Sequence, residues 1–195
     1  YSLLGKAIGM VLLVLLDILL ARELSVEQYA EWAYFFSIAS MLFFIGWLGI
    51  NMSAKVIVSR CVEESSIKAC IKGGFLLRII SGIICSFILM IIMVFLSDKL
   101  GYPLKYPNLK NMFLLSGFLI FFNSTTEFFK EIFIGVINFK AVLGITVIEY
   151  LGYFAYSFLF LFFSGNVYSV IWGYAASVMT VFVIGTMLLI KDYHI

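Results

Sequence analysis

Six long apolar stretches run almost end to end through the 195-residue chain: Leu3–Ala21, Tyr29–Ile50, Gly74–Leu96, Met112–Gly135, Val142–Phe163 and Tyr168–Ile190. Each is near the length of about 20 residues that a helix needs to cross roughly 30 Å of hydrocarbon. A soluble fold would have to hide all six in one core. With 64% of the residues hydrophobic and 12% charged, too few polar side chains remain to cover the outside of such a core. Barrel strands of about 10 residues with alternating polarity do not describe these runs, whereas a helix satisfies its own backbone in lipid. The expected fold is all-α, a polytopic membrane helical bundle of six transmembrane helices.

The breaks between the runs differ in kind. In "RELSVEQ", Ser25 is placed to cap the second helix and Gln28, three residues on, to complete a capping box, which predicts a tight turn at a membrane surface. "KVIVSRCVEESSIKACIK" is long and charged and reads as an amphipathic surface helix. "SDKLGYPLKYPNLKN" holds both prolines, and "SGN" is a minimal turn. Counting lysines and arginines on alternate sides gives nine against four, or six against four without Lys6, Arg78 and Lys130, which fall inside or near the spans. The positive-inside bias therefore predicts a cytoplasmic N-terminus. The chain opens on Tyr1 with no basic leader, so a signal peptide is not expected and a fragment of a longer chain is.

Several chemistries find no foothold. The net charge is +2 and the basic residues are scattered, so nucleic acid is not an expected partner. Cys61, Cys70 and Cys85 are odd in number and His194 lies far from them in sequence, which fits neither a disulfide framework nor a zinc site. No Gly-rich phosphate loop, H-E-x-x-H or G-x-S-x-G occurs. No catalytic residue, metal ligand or cofactor is expected. Membrane transport is the default reading, with coupling to a proton or sodium gradient left open through the acids inside the spans.

Those acids are the informative residues, because an ionised side chain at mid-bilayer costs about 2.5–3.5 kcal/mol and should face protein or water. Lys6 and Asp17 are eleven residues apart, on one helix face but roughly 16 Å from each other along the axis. Ser116, Asn123, Glu127, Lys130 and Glu131 form a stripe at spacings of seven, four, three and four, in which Glu127 and Lys130 are also placed to pair at i, i+3. Thr146, Glu149, Tyr153 and Tyr156 repeat at three, four and three on the fifth span. Snorkelling to the headgroups is the plainer account of Lys6, Arg78 and Lys130, and an interfacial position that of Asp17. Glu149 has no nearby base in sequence and is expected to face a lumen. "GKAIG" is a small-xxx-small pattern, most simply a packing surface.

Read together, "LLGKAIGMVLLVLLDILLARELSVEQYAEWAYFFSIASMLFFIGWLGINMSAKVIVSR" and "KEIFIGVINFKAVLGITVIEYLGY" resemble Wzx-type polysaccharide (O-antigen and capsule) flippases of the multidrug/oligosaccharidyl-lipid/polysaccharide exporter superfamily. The resemblance implies two six-helix bundles facing each other across a cavity, with residues 1–195 as the N-terminal bundle, in a bacterial inner membrane. It implies translocation of an undecaprenyl-pyrophosphate-linked oligosaccharide for O-antigen or lipopolysaccharide biosynthesis. The implied partners are that lipid-linked oligosaccharide, membrane lipid, a polysaccharide polymerase and a chain-length regulator. The implied pathway residues are Lys6, Arg78 and Lys130 for the pyrophosphate, with Asp17, Asn123, Glu127 and Glu149 as further polar groups. The acids depart from a cationic lumen and keep a cation-exporting drug or metabolite antiporter in view. A non-transporting scaffold of a biosynthetic complex is the third reading.

Overall fold

The computed structural model describes residues 2–47, 49–61, 63–99 and 109–193. Among them are seven α-helices: α1 (Ser2–Glu23), α2 (Val26–Trp47), α3 (Ile50–Arg60), α4 (Glu64–Lys99), α5 (Leu109–Gly135), α6 (Phe139–Ser164) and α7 (Val167–Tyr193). Four contain stretches long and apolar enough to cross a membrane by length and composition: Leu4–Glu23, Ser65–Ile92, Phe139–Ser164 and Val167–Tyr193. The chain is a helical membrane protein. The segment of both prolines, within residues 100–108, and His194 lie outside the described residues.

Local chemistry accounts for the turns. The capping box forms as its residue types require: Ser25 N–H donates to Gln28 Oε1 and Gln28 N–H donates to Ser25 Oγ, each at 3.3 Å. The "SGN" turn closes on Gly165, whose left-handed φ of 60° lets its N–H donate to Leu161 O at 2.8 Å. Between α5 and α6 the left-handed position is filled not by a glycine but by Ile137, at φ 61°. Asn138 N–H closes this turn on Phe133 O at 2.8 Å, and Asn138 Oδ1 accepts from Ala141 N–H to start α6.

Two helix boundaries differ from the limits of the expected spans. The second span does not reach Ile50: α2 ends at Trp47, Gly49 turns the chain at φ 70°, and Ile50 opens α3. α4 starts at Glu64, ten residues before the third expected span. The charged connection is thus α3 followed by the first turns of α4, with a break around Cys61, rather than one surface helix. At 1.5 Å per residue α4 is about 54 Å long, well beyond the hydrocarbon thickness, so its charged first turns have room outside it.

α5 is the hub, touching α2, α3, α4, α6 and α7. The outer helices present apolar side chains outward, such as Met10, Val14 and Ile18 on α1 and Ile80, Ile84 and Phe87 on α4, each about half exposed or more. Two apolar cores hold the bundle. One gathers Leu16, Phe35, Leu119, Ile120, Tyr153 and Val170; the other gathers Val58, Ile71, Phe129, Phe133, Ile145 and Val181. α1 lies on α6 through "GKAIG": a β-carbon on Gly9 would stand 2.4 Å from the Tyr150 ring. α6 and α7 approach more closely still, with Gly173 against the backbone of Ser157.

Candidate functional site

By register, the polar residues fall at the junction of the two cores. On α5, Leu119 and Ile120 belong to one core and Phe128 to Phe133 to the other, and between them runs Asn123-Ser124-Thr125-Thr126-Glu127. The middle of this block is structural. Ser124 and Thr125 hydroxyls donate back to Phe121 O at 3.0 and 2.8 Å, and Asn51 Nδ2 of α3 donates to Ser124 O at 3.3 Å. Its two ends, Asn123 and Glu127, face a cavity instead.

Lys130 joins α5 to α6. Its ammonium donates to Glu127 Oε1 at 2.6 Å, one turn back, and lies 2.5 Å from Glu149 Oε2 across the helix interface. The Glu127 contact is an aligned hydrogen bond; the one to Glu149 is a close charge contact without that alignment. Lys130 and Glu149 side chains are 11% and 8% exposed, so this ion pair is interior, while Glu127 at 28% keeps an open side. Two carboxylates on one ammonium leave a formal charge of −1 when all are ionised. A third charge pair, Lys55 on Glu131 at 3.4 Å, ties α3 to the same stretch of α5.

The cluster separates two cavities. The central one, about 340 Å³, has Glu127 and Glu149 on its wall with Asn123, Ser40 and the rings of Tyr150, Tyr153 and Tyr174. Asn123 Nδ2 donates to Tyr174 Oη at 2.6 Å, and the Tyr153 and Tyr174 rings lie 4.8 Å apart. Among the described residues, no lysine or arginine lines it. The second cavity, about 160 Å³, holds the cations: Lys6 and Lys130 line it with Glu127 and Glu131. Glu127 and Tyr150 line both and form the partition. A groove of about 480 Å³ beside Gly165, lined by residues such as Phe160, Trp172 and Met179, is larger, but no charged side chain among the described residues lines it.

Of the residues singled out by sequence, Asn123, Glu127, Lys130 and Glu149 come together here, and Lys6 reaches the edge through the second cavity. Arg78 does not: it is fully buried near Gly82 and Phe121, where α4 packs on α5, and with α4 starting at Glu64 it lies well inside its helix. Asp17 is exposed on α1 and lines neither cavity. Tyr150 and Tyr174 were not visible as site residues in a chain with eleven tyrosines. Only the Glu149-Tyr150 adjacency offered a hint.

The structure defines a helical membrane protein with apolar side chains on its outer helices and a cavity lined by two carboxylates and three tyrosines. Residues 1–195 match the family model of the polysaccharide biosynthesis protein, so the chain belongs to that family and its function concerns polysaccharide at a membrane. No curated protein and no solved structure matches it.

Proposed function

We propose that the full-length protein, with this chain as its N-terminal six-helix bundle, moves a polyprenyl-diphosphate-linked oligosaccharide across the bacterial inner membrane, with the N-terminus cytoplasmic. The observation that carries the reading is the central cavity, where two carboxylates and an asparagine stand in a largely aromatic and apolar wall, within a body whose outer helices present apolar side chains. An oligosaccharide cannot cross hydrocarbon, whereas its polyprenyl tail can remain in lipid beside a lateral opening. The bundle then has only to hydrate and hold the head group, and α5 is suited to line that path because five other helices shield it from lipid. A polymerase and a chain-length regulator are the partners that would consume the product, and the Glu149 carboxylate is a group through which an ion gradient could couple.

The test is complementation. The full-length gene, in a cell lacking its polysaccharide flippase, should restore surface polymer, and Glu149→Gln, expressed and inserted at the parental level, should reduce that polymer at least about tenfold. Full polymer with Glu149→Gln would leave translocation standing and remove Glu149 from the path; no polymer and no efflux with either form would favour a scaffold. The acid lining of the central cavity also favours a second reading, a cation-exporting antiporter; there, drug or metabolite efflux would fall with Glu149→Gln while surface polymer never returned with either form.

A further inference from the structure

We infer that the central cavity is a sugar-head-group subsite that admits neutral or amine-bearing sugars and turns away acidic ones. This rests on the translocation reading and deepens it. The segregation of charge between the two cavities carries the inference. Both acids of the cluster reach the central cavity, while the ammonium that neutralises them lies on the other side of the partition. Lys130 is engaged by two carboxylates, at 2.6 and 2.5 Å, so it has little left to offer an anion.

The remaining wall suits a sugar ring. Tyr150, Tyr153 and Tyr174 contribute aromatic surface to the lining, the kind of surface that suits the C–H face of a pyranose, and the volume of about 340 Å³ lies at the small end of ligand pockets, roughly 300–1,000 Å³. Glu127 and Glu149 can only accept hydrogen bonds when ionised, which matches donors: hydroxyls, an amide N–H, an ammonium. The Glu149 side chain is 8% exposed, so a second carboxylate brought beside it would sit in a medium that screens poorly. Rejection of a uronic acid is therefore built by like-charge repulsion, and acceptance by ordinary hydrogen bonding.

The experiment uses the full-length protein in lipid nanodiscs and three probes: undecaprenyl diphosphate carrying N-acetylglucosamine, glucosamine or glucuronate. The first two should bind at least about tenfold more tightly than the third. Glu149→Gln should bring the glucosaminyl-to-glucuronyl affinity ratio close to one. Equal binding of all three by the parent would overturn the inference and leave translocation standing. Binding of none would overturn both. Displacement of the glucosaminyl probe by tetraphenylphosphonium, a cation without hydroxyls, would show that charge alone is read and would overturn the sugar assignment.

Discussion

Lys130 is the residue on which the interior charge balance turns. Replacing it with alanine leaves Glu127 and Glu149 facing each other with no counter-charge, and removing one partner of a buried ion pair costs about 3 kcal/mol. The expected outcome for Lys130→Ala is a lowered unfolding midpoint of the full-length protein in detergent, with partial recovery in Lys130→Ala/Glu149→Gln; a double mutant no more stable than the single one would mean that packing, not charge, holds Lys130. Ile137 offers the opposite sign. A β-branched residue at φ 61° is strained, and Ile137→Gly should stabilise by about 1 kcal/mol on the same measurement. Cys61 makes a third case, at the junction of α3 and α4. Its hydrogen bond with Cys70, Sγ to Sγ 3.2 Å, and secondarily burial hold its thiol above the ordinary range. A raised thiol carries less thiolate near neutral pH, so maleimide labelling of Cys61 should be slow there and climb as pH rises, and Cys70→Ala should speed it at neutral pH. A rate unchanged by Cys70→Ala would remove the hydrogen bond as the cause.

Between helices, what matters is which atoms meet at a close approach. A methyl at Gly9 would meet the Tyr150 ring, a side chain that can swing away, whereas one at Gly173 would meet the N and Cα of Ser157, which cannot move without parting α6 from α7. Gly173→Ala should therefore cost more than Gly9→Ala, with the latter within the 1–3 kcal/mol typical of overpacking, and Tyr150→Ala should rescue Gly9→Ala while no single side-chain truncation rescues Gly173→Ala. Comparative unfolding midpoints check the order. "GKAIG" was legible as a packing surface because small-residue spacing has one main use in lipid, and the Ser25–Gln28 box because its two bonds are local. The Glu127–Lys130 pair was legible for the same reason. The partner across the interface was not: that Lys130 reaches Glu149 depends on how α5 and α6 are rotated against each other, which no spacing within either helix encodes. The early start of α4 was hidden because Glu64, Lys68 and Lys72 are as common in a loop as in a helix that projects out of the membrane.

For the whole molecule, the charge count can be refined by placement. Arg78 and Lys130 are interior and drop out of the tally, while Lys6 is exposed near the start of α1 and stays, so the comparison becomes seven against four and keeps its sign. On the proposed six-span topology the two ends of α2 mark opposite faces: Ser25 caps α2 at one end, and Cys61 follows α3 beyond the other. With a cytoplasmic N-terminus, Ser25 faces outward and Cys61 inward. In the full-length protein lacking Cys70 and Cys85, a membrane-impermeant maleimide should label Ser25→Cys in intact spheroplasts and leave Cys61 unlabelled until the vesicles are inverted. The reverse pattern would turn the molecule over and place the Lys6 and Lys130 cavity on the outer side, where a cytoplasmically made head group would meet the acid-walled central cavity first. Labelling of both sites from one side would mean that α2 does not cross at all. Because α2 packs on α5 and supplies Phe36, Ser40 and Phe43 to the central cavity, that outcome would also require the cavity to open at the membrane surface rather than within it.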